Sequence, residues 1–173
     1  MSRPRNRILA IAPVHRGFGL VVLDTAGTLL DWRVKEIREK TRHKNARCLV
    51  EIDNIIEEHR PIALTIEDYR APGSKKRKRV RELLDLLTEH AIDSGIGVAK
   101  YGPKDIRISL GLNPMANKLA LAKEIAKRVP LLKPRTPKQV HIWQNEVYAM
   151  PIFVAAALAL THQSRAQRRE PGR

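Results

Sequence analysis

RILAIAPVHRGFGLVVLDTAGTLLDWRVKEI, residues 7–37, is the stretch on which the fold turns. Two short runs rich in aliphatic and β-branched residues, 7–12 (RILAIA) and 18–24 (FGLVVLD), flank a segment containing Pro13 and Gly17, residue types that punctuate strands. Thr25, Ala26 and Gly27 then turn the chain into residues 28–37. In this third run Leu30, Trp32 and Val34 alternate with Asp31, Arg33 and Lys35, a period of two that buries one face and leaves the other in water. The three runs predict an antiparallel meander.

Beyond the meander the period changes. Leu49, Ile52, Ile55 and Ile56 recur at helical spacing in residues 44–59, a helix that Pro61 ends. Residues 62–67 (IALTIE) return to a strand. Val80, Leu83, Leu84, Leu87 and Ala91 then mark an amphipathic helix reaching about Ile92, before Ser94 and Gly95. Residues 97–101 read as a fifth strand. Two helical stretches complete the chain, 103–110 with 115–129 and then 151–163, where Pro151 suits a first helical turn. Residues 131–138 (LLKPRTPK) read as a connecting loop. Strands that alternate with helices run parallel, so the order βββαβαβαα predicts an α/β fold, a mixed five-stranded sheet flanked by helices. Residues 1–163 form one domain in this reading. Residues 164–173 are expected to be a basic, disordered tail.

The chain has 173 residues, about one domain's worth, with 33 Lys and Arg against 18 Asp and Glu and a net charge of +15. Such an excess points to a polyanionic partner, nucleic acid above all. The single cysteine, Cys48, closes no intrachain disulfide, and no Cys/His cluster has zinc spacing. The apolar run after the basic N-terminal residues stops at His15 and Arg16, too soon for a signal peptide. Residues 152–160 fall well short of the roughly 20 apolar residues of a membrane span. A cytoplasmic protein with no membrane partner is expected.

Glu67 ends a strand that reads as buried, where a carboxylate is poised to face a cleft. From Arg70 to Arg81 the chain carries seven cations (Arg70, Lys75, Lys76, Arg77, Lys78, Arg79 and Arg81) and no acid. Cations at a helix N-terminus oppose the macrodipole, so phosphate binding explains this run better than local stability does. Tyr69 either stacks on an unpaired base or caps the core. Arg107 and Lys118 flank the uncharged loop 111–114, and His15 and His141 have no ligand-like spacing. No P-loop, nucleophile elbow or dinucleotide glycine motif is present, which argues against NTP hydrolysis and serine chemistry.

With these residues placed, residues 8–162 resemble the RuvC Holliday-junction resolvases of the ribonuclease H-like superfamily. The resemblance is carried by ILAIAP at residues 8–13 with Gly17 and Gly19, then Ile66-Glu67, Tyr101-Gly102-Pro103 with Ile106-Arg107, Ala116-Asn117-Lys118, and ALALTH at residues 157–162. It implies a nuclease of DNA recombination and repair whose four acids hold two Mg²⁺ ions about 4 Å apart: an Asp on the first strand, a Glu ending the fourth, and two acids opening the last helix. Only the Glu is kept, as Glu67. Ala12 stands at the first position, and Pro151 and Val154 stand at the last two. Asp68 and Glu146 are the nearest substitutes. Ile152, Phe153 and Val154 ahead of three alanines predict core packing instead of a solvated metal site. Arg107 and Lys118 match the resemblance's cleft cations, and Tyr69-Arg70 its junction-probing loop.

The sequence therefore predicts a protein that binds branched or duplex DNA through its phosphates, with nuclease activity impaired or absent. The alternatives are an active Mg²⁺-dependent endodeoxyribonuclease built around Glu67 and a basic RNA-associated structural protein. A homodimer is the assembly the resemblance implies.

Overall fold

The computed structural model describes residues 6–137 and 149–169; His141 and Glu146 lie outside them. The meander consists of β1 (Arg7–Val14), β2 (Gly17–Asp24) and β3 (Leu29–Glu36). β1 and β2 pair antiparallel from Arg7 opposite Asp24 to Val14 opposite Gly17, around the two-residue turn His15-Arg16. β1 runs past Pro13, which sequence reading placed in the turn. β4 pairs with β1 only at residues 8–10, so at Pro13 the strand has a neighbour on one side alone, where a missing N–H is tolerated.

The alternation in β3 breaks at Leu30. Val22 faces Asp31 but Leu23 faces Leu29, so Leu30 is the extra residue of a β-bulge. Leu29, Trp32 and Val34 pack against the core, while Leu30 is turned outward at 39% exposure. The expectation that Leu30 is buried with Trp32 and Val34 is thus corrected.

β4 (Ala63–Glu67) runs parallel to β1, and β5 (Gly97–Tyr101) parallel to β4. The sheet is mixed and five-stranded, in the order β3-β2-β1-β4-β5. On one face lie α1 (Thr41–His59) and α2 (Lys78–Asp93), which bury Cys48, Ile52, Ile55, Leu83, Leu84 and Leu87 against Leu9, Ile11, Leu20 and Leu64. On the other lie α3 (Pro103–Ser109), α4 (Lys118–Arg128) and α5 (Met150–Arg169), packed on Ile8, Ala10, Val21 and Leu23. A short 3₁₀ turn, Pro130–Arg135, occupies part of the segment read as a loop. Among the described residues no helix is long and apolar enough to cross a membrane.

Helix α5 continues to Arg169, which corrects the expected disordered tail for residues 164–169; residues 170–173 lie outside the description. The added turn has a surface to pack on. The Arg165 guanidinium sits 5.0 Å over the Tyr101 ring and 3.9 Å from Asp105. One turn earlier His162 Nδ1 lies 2.8 Å from the Tyr101 hydroxyl. Burial, with Arg169 adding to it, lowers the His162 pKa, so near neutral pH the ring is uncharged.

The start of α5 meets β2 at Gly19. A Cβ there would lie 2.5 Å from the carbonyl carbon and Cβ of Pro151, so only glycine admits the helix at this depth. Buried Ala155, Ala156, Ala157 and Ala159 keep the rest of the helix close to the sheet.

Where β3 meets the end of α1, the Asp31 carboxylate joins Arg33 and His59, and Arg33 also holds Glu58 at 2.9 Å. Arg7 donates to His59 Nδ1 at 3.1 Å, so Nε2 carries the hydrogen given to Asp31 at 2.8 Å. Burial raises the Asp31 pKa, but the hydrogen bonds from Arg33 and His59 outweigh it and the net shift is downward. Stability from this carboxylate is therefore present above its unfolded pKa of about 3.9 and is lost as pH falls through the lower folded value. Asp31→Asn is expected to cost about 1–3 kcal/mol at pH 7. In urea melts the gap to wild type should be smaller at pH 3, and a gap independent of pH would show that the ionised carboxylate is not its source.

Candidate nucleic-acid interface

A cleft opens at the carboxyl ends of β1, β4 and β5. Ala12 near the end of β1 and Glu67 at the end of β4 form its sheet side, Met150, Pro151 and Val154 at the start of α5 face them, and Ile106, Arg107, Lys118 and Leu121 close the flank. Residues 73–76 of the loop before α2 form the remaining wall of a cavity of about 250 Å³. Glu67 faces a cleft, as its position at a strand end predicts.

All four positions that the resemblance marks as acid sites therefore share one cavity. Three carry hydrocarbon: a methyl group at Ala12, a pyrrolidine ring at Pro151 and an isopropyl group at Val154. Val154 is half-buried and lines the cleft, whereas Ile152 and Phe153 point into the core. This corrects the expectation that the whole apolar start of α5 is core. The helical period explains it, since Pro151 and Val154 are three residues apart and share a face.

Glu67 is engaged by two residues that sequence reasoning did not connect with it. Ser74 Oγ donates to its Oε2 at 2.9 Å, and Lys76 Nζ stands 3.8 Å from the same oxygen. Nothing in the local pattern announces these contacts, because the loop has to fold back over the strand end before residues seven and nine positions along the chain become neighbours of Glu67.

The cations divide into those held by the fold and those presented outward. Arg107 Nε donates to the Ala116 carbonyl at 2.6 Å and its Nη1 to the Pro103 carbonyl at 2.9 Å, which fixes the guanidinium beside the cleft. Burial lowers its pKa, and the opposing attraction of Glu67 does not reverse the shift. Asn117 caps α4 by accepting the Ala120 N–H at 2.9 Å, which sets Lys118 at the first helical position on the cleft wall. Lys75 and Lys76 line the cleft directly. Arg77 and Arg81 are exposed, and Lys78 pairs with Glu82 at 3.9 Å.

Arg79 and Tyr69 are placed differently from the expected contacts. Arg79 bonds the Val14 and His15 carbonyls and Asn45, so its guanidinium brackets elements of the fold. Tyr69 packs on the core and donates its hydroxyl to both Asp85 oxygens, at 3.0 and 2.9 Å, with the Arg70 guanidinium 5.5 Å over its ring. Of the two roles open to Tyr69, capping the core is the one its contacts display. Asp68 accepts the Arg70 N–H at 3.0 Å in a turn and does not line the cavity.

No protein-family model and no curated sequence matches the chain. Solved structures do. Thermus thermophilus RuvC superposes with a TM-score of 0.70 at 22% identity, over 94% of this chain and 96% of that one. The same protein in complex with Holliday junction substrate gives 0.69 at 21%, over 94% and 95%. The yeast mitochondrial Holliday junction resolvase gives 0.59 at 13%, over 98% of this chain and 84% of its own. The chain has the RuvC fold.

Within that fold the donor set among the described residues does not fit a pair of divalent ions. Mg²⁺ asks for several hard oxygens in near-octahedral array, and one carboxylate already in contact with a hydroxyl and an ammonium group cannot supply them. A second group of metal-ligand type, Asp31, Glu58 and His59, lies together elsewhere. Arg33 bonds both carboxylates, and the two ring nitrogens of His59 are engaged by Arg7 and Asp31, so the group is held together as an ion-pair cluster.

Titration calorimetry with Mg²⁺ or Mn²⁺ on the wild-type protein is expected to show no saturable site at low millimolar metal. Ala12→Asp with Val154→Asp should create one. Because Val154 borders open cleft, Val154→Asp alone should cost less than about 1 kcal/mol in a thermal melt. Tight binding by the wild type would mean that a second carboxylate reaches the cleft.

Proposed function

We propose that the protein binds branched DNA through its phosphates and leaves the backbone uncut. One observation carries the reading: the four positions that would hold metal ions line a single cleft, three of them without a ligand atom, while Lys75, Lys76, Arg107 and Lys118 line the same cleft. Phosphodiester hydrolysis by this architecture requires ions that activate water and stabilise the leaving oxygen. Phosphate binding requires only fixed positive charge, and that is what the cleft presents.

The likeness to a RuvC structure in complex with Holliday junction substrate supports a junction as the form of DNA bound. A junction has two-fold character, and a homodimer would match it. The fold likeness favours this reading over a basic RNA-associated protein, since the similar RuvC structure is a complex with Holliday junction substrate. An active Mg²⁺-dependent enzyme would need a second carboxylate beside Glu67, and none lines the cleft among the described residues.

Electrophoretic shift of a four-way junction in EDTA is expected to show binding, and incubation with Mg²⁺ or Mn²⁺ should yield no nicked product. Glu67→Gln should bind as well as wild type or slightly better, because it removes a negative charge from a phosphate-facing cleft. Lys75→Gln with Arg77→Gln and Arg81→Gln should weaken binding across sequences and lower the salt dependence by up to about 0.9 per lost phosphate contact. Metal-dependent cleavage abolished by Glu67→Gln would overturn the reading in favour of the active enzyme. Equal affinity for an A-form RNA duplex would favour the RNA-associated protein.

A further inference from the structure

The cationic surface continues past the mouth of the cleft. Val14 lines the cleft, and its carbonyl accepts Nη2 of Arg79 at 2.9 Å; the same nitrogen reaches the His15 carbonyl at 3.2 Å. Nη1 of Arg79 donates to Asn45 Oδ1 at 2.8 Å, and Asn45 Nδ2 donates back to the Arg79 carbonyl at 3.1 Å. Lys44 Nζ donates to the His15 carbonyl at 3.4 Å. Together these bonds lock the β1–β2 turn, the first turn of α2 and the first turn of α1 into one surface that borders the cleft.

That surface is unusually short of acid. Residues 38–47 carry Arg38, Lys40, Arg42, Lys44 and Arg47 against the single acid Glu39. Arg38 and Arg47 pair with Glu36 and Glu51. Arg16, Lys40 and Arg42 are exposed and pair with no carboxylate among the described residues. Neither α1 nor α2 has an acidic residue in its first turn. Unpaired cations gathered at two helix starts repel one another and oppose both macrodipoles, so the fold gains nothing from the charges of Arg16, Lys40 and Arg42. An anion from outside supplies what the fold withholds.

We propose that the β1–β2 turn and the start of α1 form a second contact surface for duplex DNA, with Arg16, Lys40 and Arg42 on the phosphates of the arm that leaves the cleft. The inference rests on the junction-binding reading. Its physical basis is continuity: duplex DNA is stiff over about 150 base pairs, so an arm held at the cleft is carried along whatever charged surface adjoins it. The Arg79–Asn45 bracket then acts as a positioning device, keeping the two helix starts at a fixed separation.

The test uses the full chain and fluorescence anisotropy on two four-way junctions, one with arms of about two helical turns and one with arms of about half a turn. Arg16→Gln with Lys40→Gln and Arg42→Gln removes three exposed charges, and an unchanged melting temperature shows that the fold is kept. On long arms the variant is expected to bind about tenfold or more weakly, with the slope of log K against log salt reduced by about 2–3. On short arms the loss should be several times smaller. A control, Lys123→Gln with Lys133→Gln and Arg135→Gln, removes the same charge from α4 and the turn after it; an equal loss there would overturn the proposal as a net-charge effect. An unchanged long-arm slope, or the same loss on both junctions, would also overturn it. If wild type binds the junctions and Arg107→Gln weakens binding while the triple variant does not, this inference alone fails. If wild type binds neither junction, the functional reading fails with it.

Discussion

A helix can rest on a β-sheet only as closely as the side chains between them allow, and at Gly19 there is no side chain. The backbone and ring of Pro151 fill the space where a Cβ would stand. That contact sets the depth of α5, and small alanines keep the helix close to β1 and β2 along its length. At the other end Tyr101, His162 and Arg165 tie the helix to the end of β5 and the start of α3. The cleft exists because α5, held at both ends, brings Pro151 and Val154 opposite Ala12 and Glu67.

Given that frame, the chemistry of the cleft follows from charge. A site for divalent cations concentrates oxygen ligands, and a site for phosphate concentrates nitrogen donors. Here one carboxylate is met by a serine hydroxyl and a lysine ammonium, and further cations stand around it. The carbonyls of Pro103 and Ala116 hold the Arg107 side chain in place, which removes much of the entropy cost of ordering it on a ligand. Oriented cations of this kind are the basis of the phosphate-binding reading proposed above.

Not every cation in the basic run from residue 70 to 81 serves the same end. Arg79 spends its hydrogen bonds on carbonyls and an amide of its own chain, and Lys78 faces Glu82. Lys75, Arg77 and Arg81 are exposed to solvent. The run is thus part bracket and part exposed cationic surface, and the bracket holds the starts of the two helices together.

Much of the architecture is legible in the chain because it rests on local periodicity. Period-two runs mark the strands, helical spacing marks α1 and α2, and Pro61 and Pro103 punctuate them; alternation of strand and helix after the meander then leaves little choice but parallel pairing beside it. The position of Glu67 at a strand end is likewise visible in sequence order, as are the residues without side-chain oxygen at Ala12, Pro151 and Val154. What periodicity cannot register is a break in register or a contact between distant segments. The bulge at Leu30 depends on how β3 matches β2, and the extension of α5 through Arg169 depends on Tyr101 and Asp105 offering a surface to Arg165. The partners of Glu67 and the anchoring of Tyr69 on Asp85 follow from loops closing over strand ends. Sequence determined which charges the protein carries and which ligand atoms it lacks, because those are properties of single residues. Tertiary structure alone decided which charges face one another and which face outward, because electrostatic interaction depends on distance through space, and only the packed fold sets that distance.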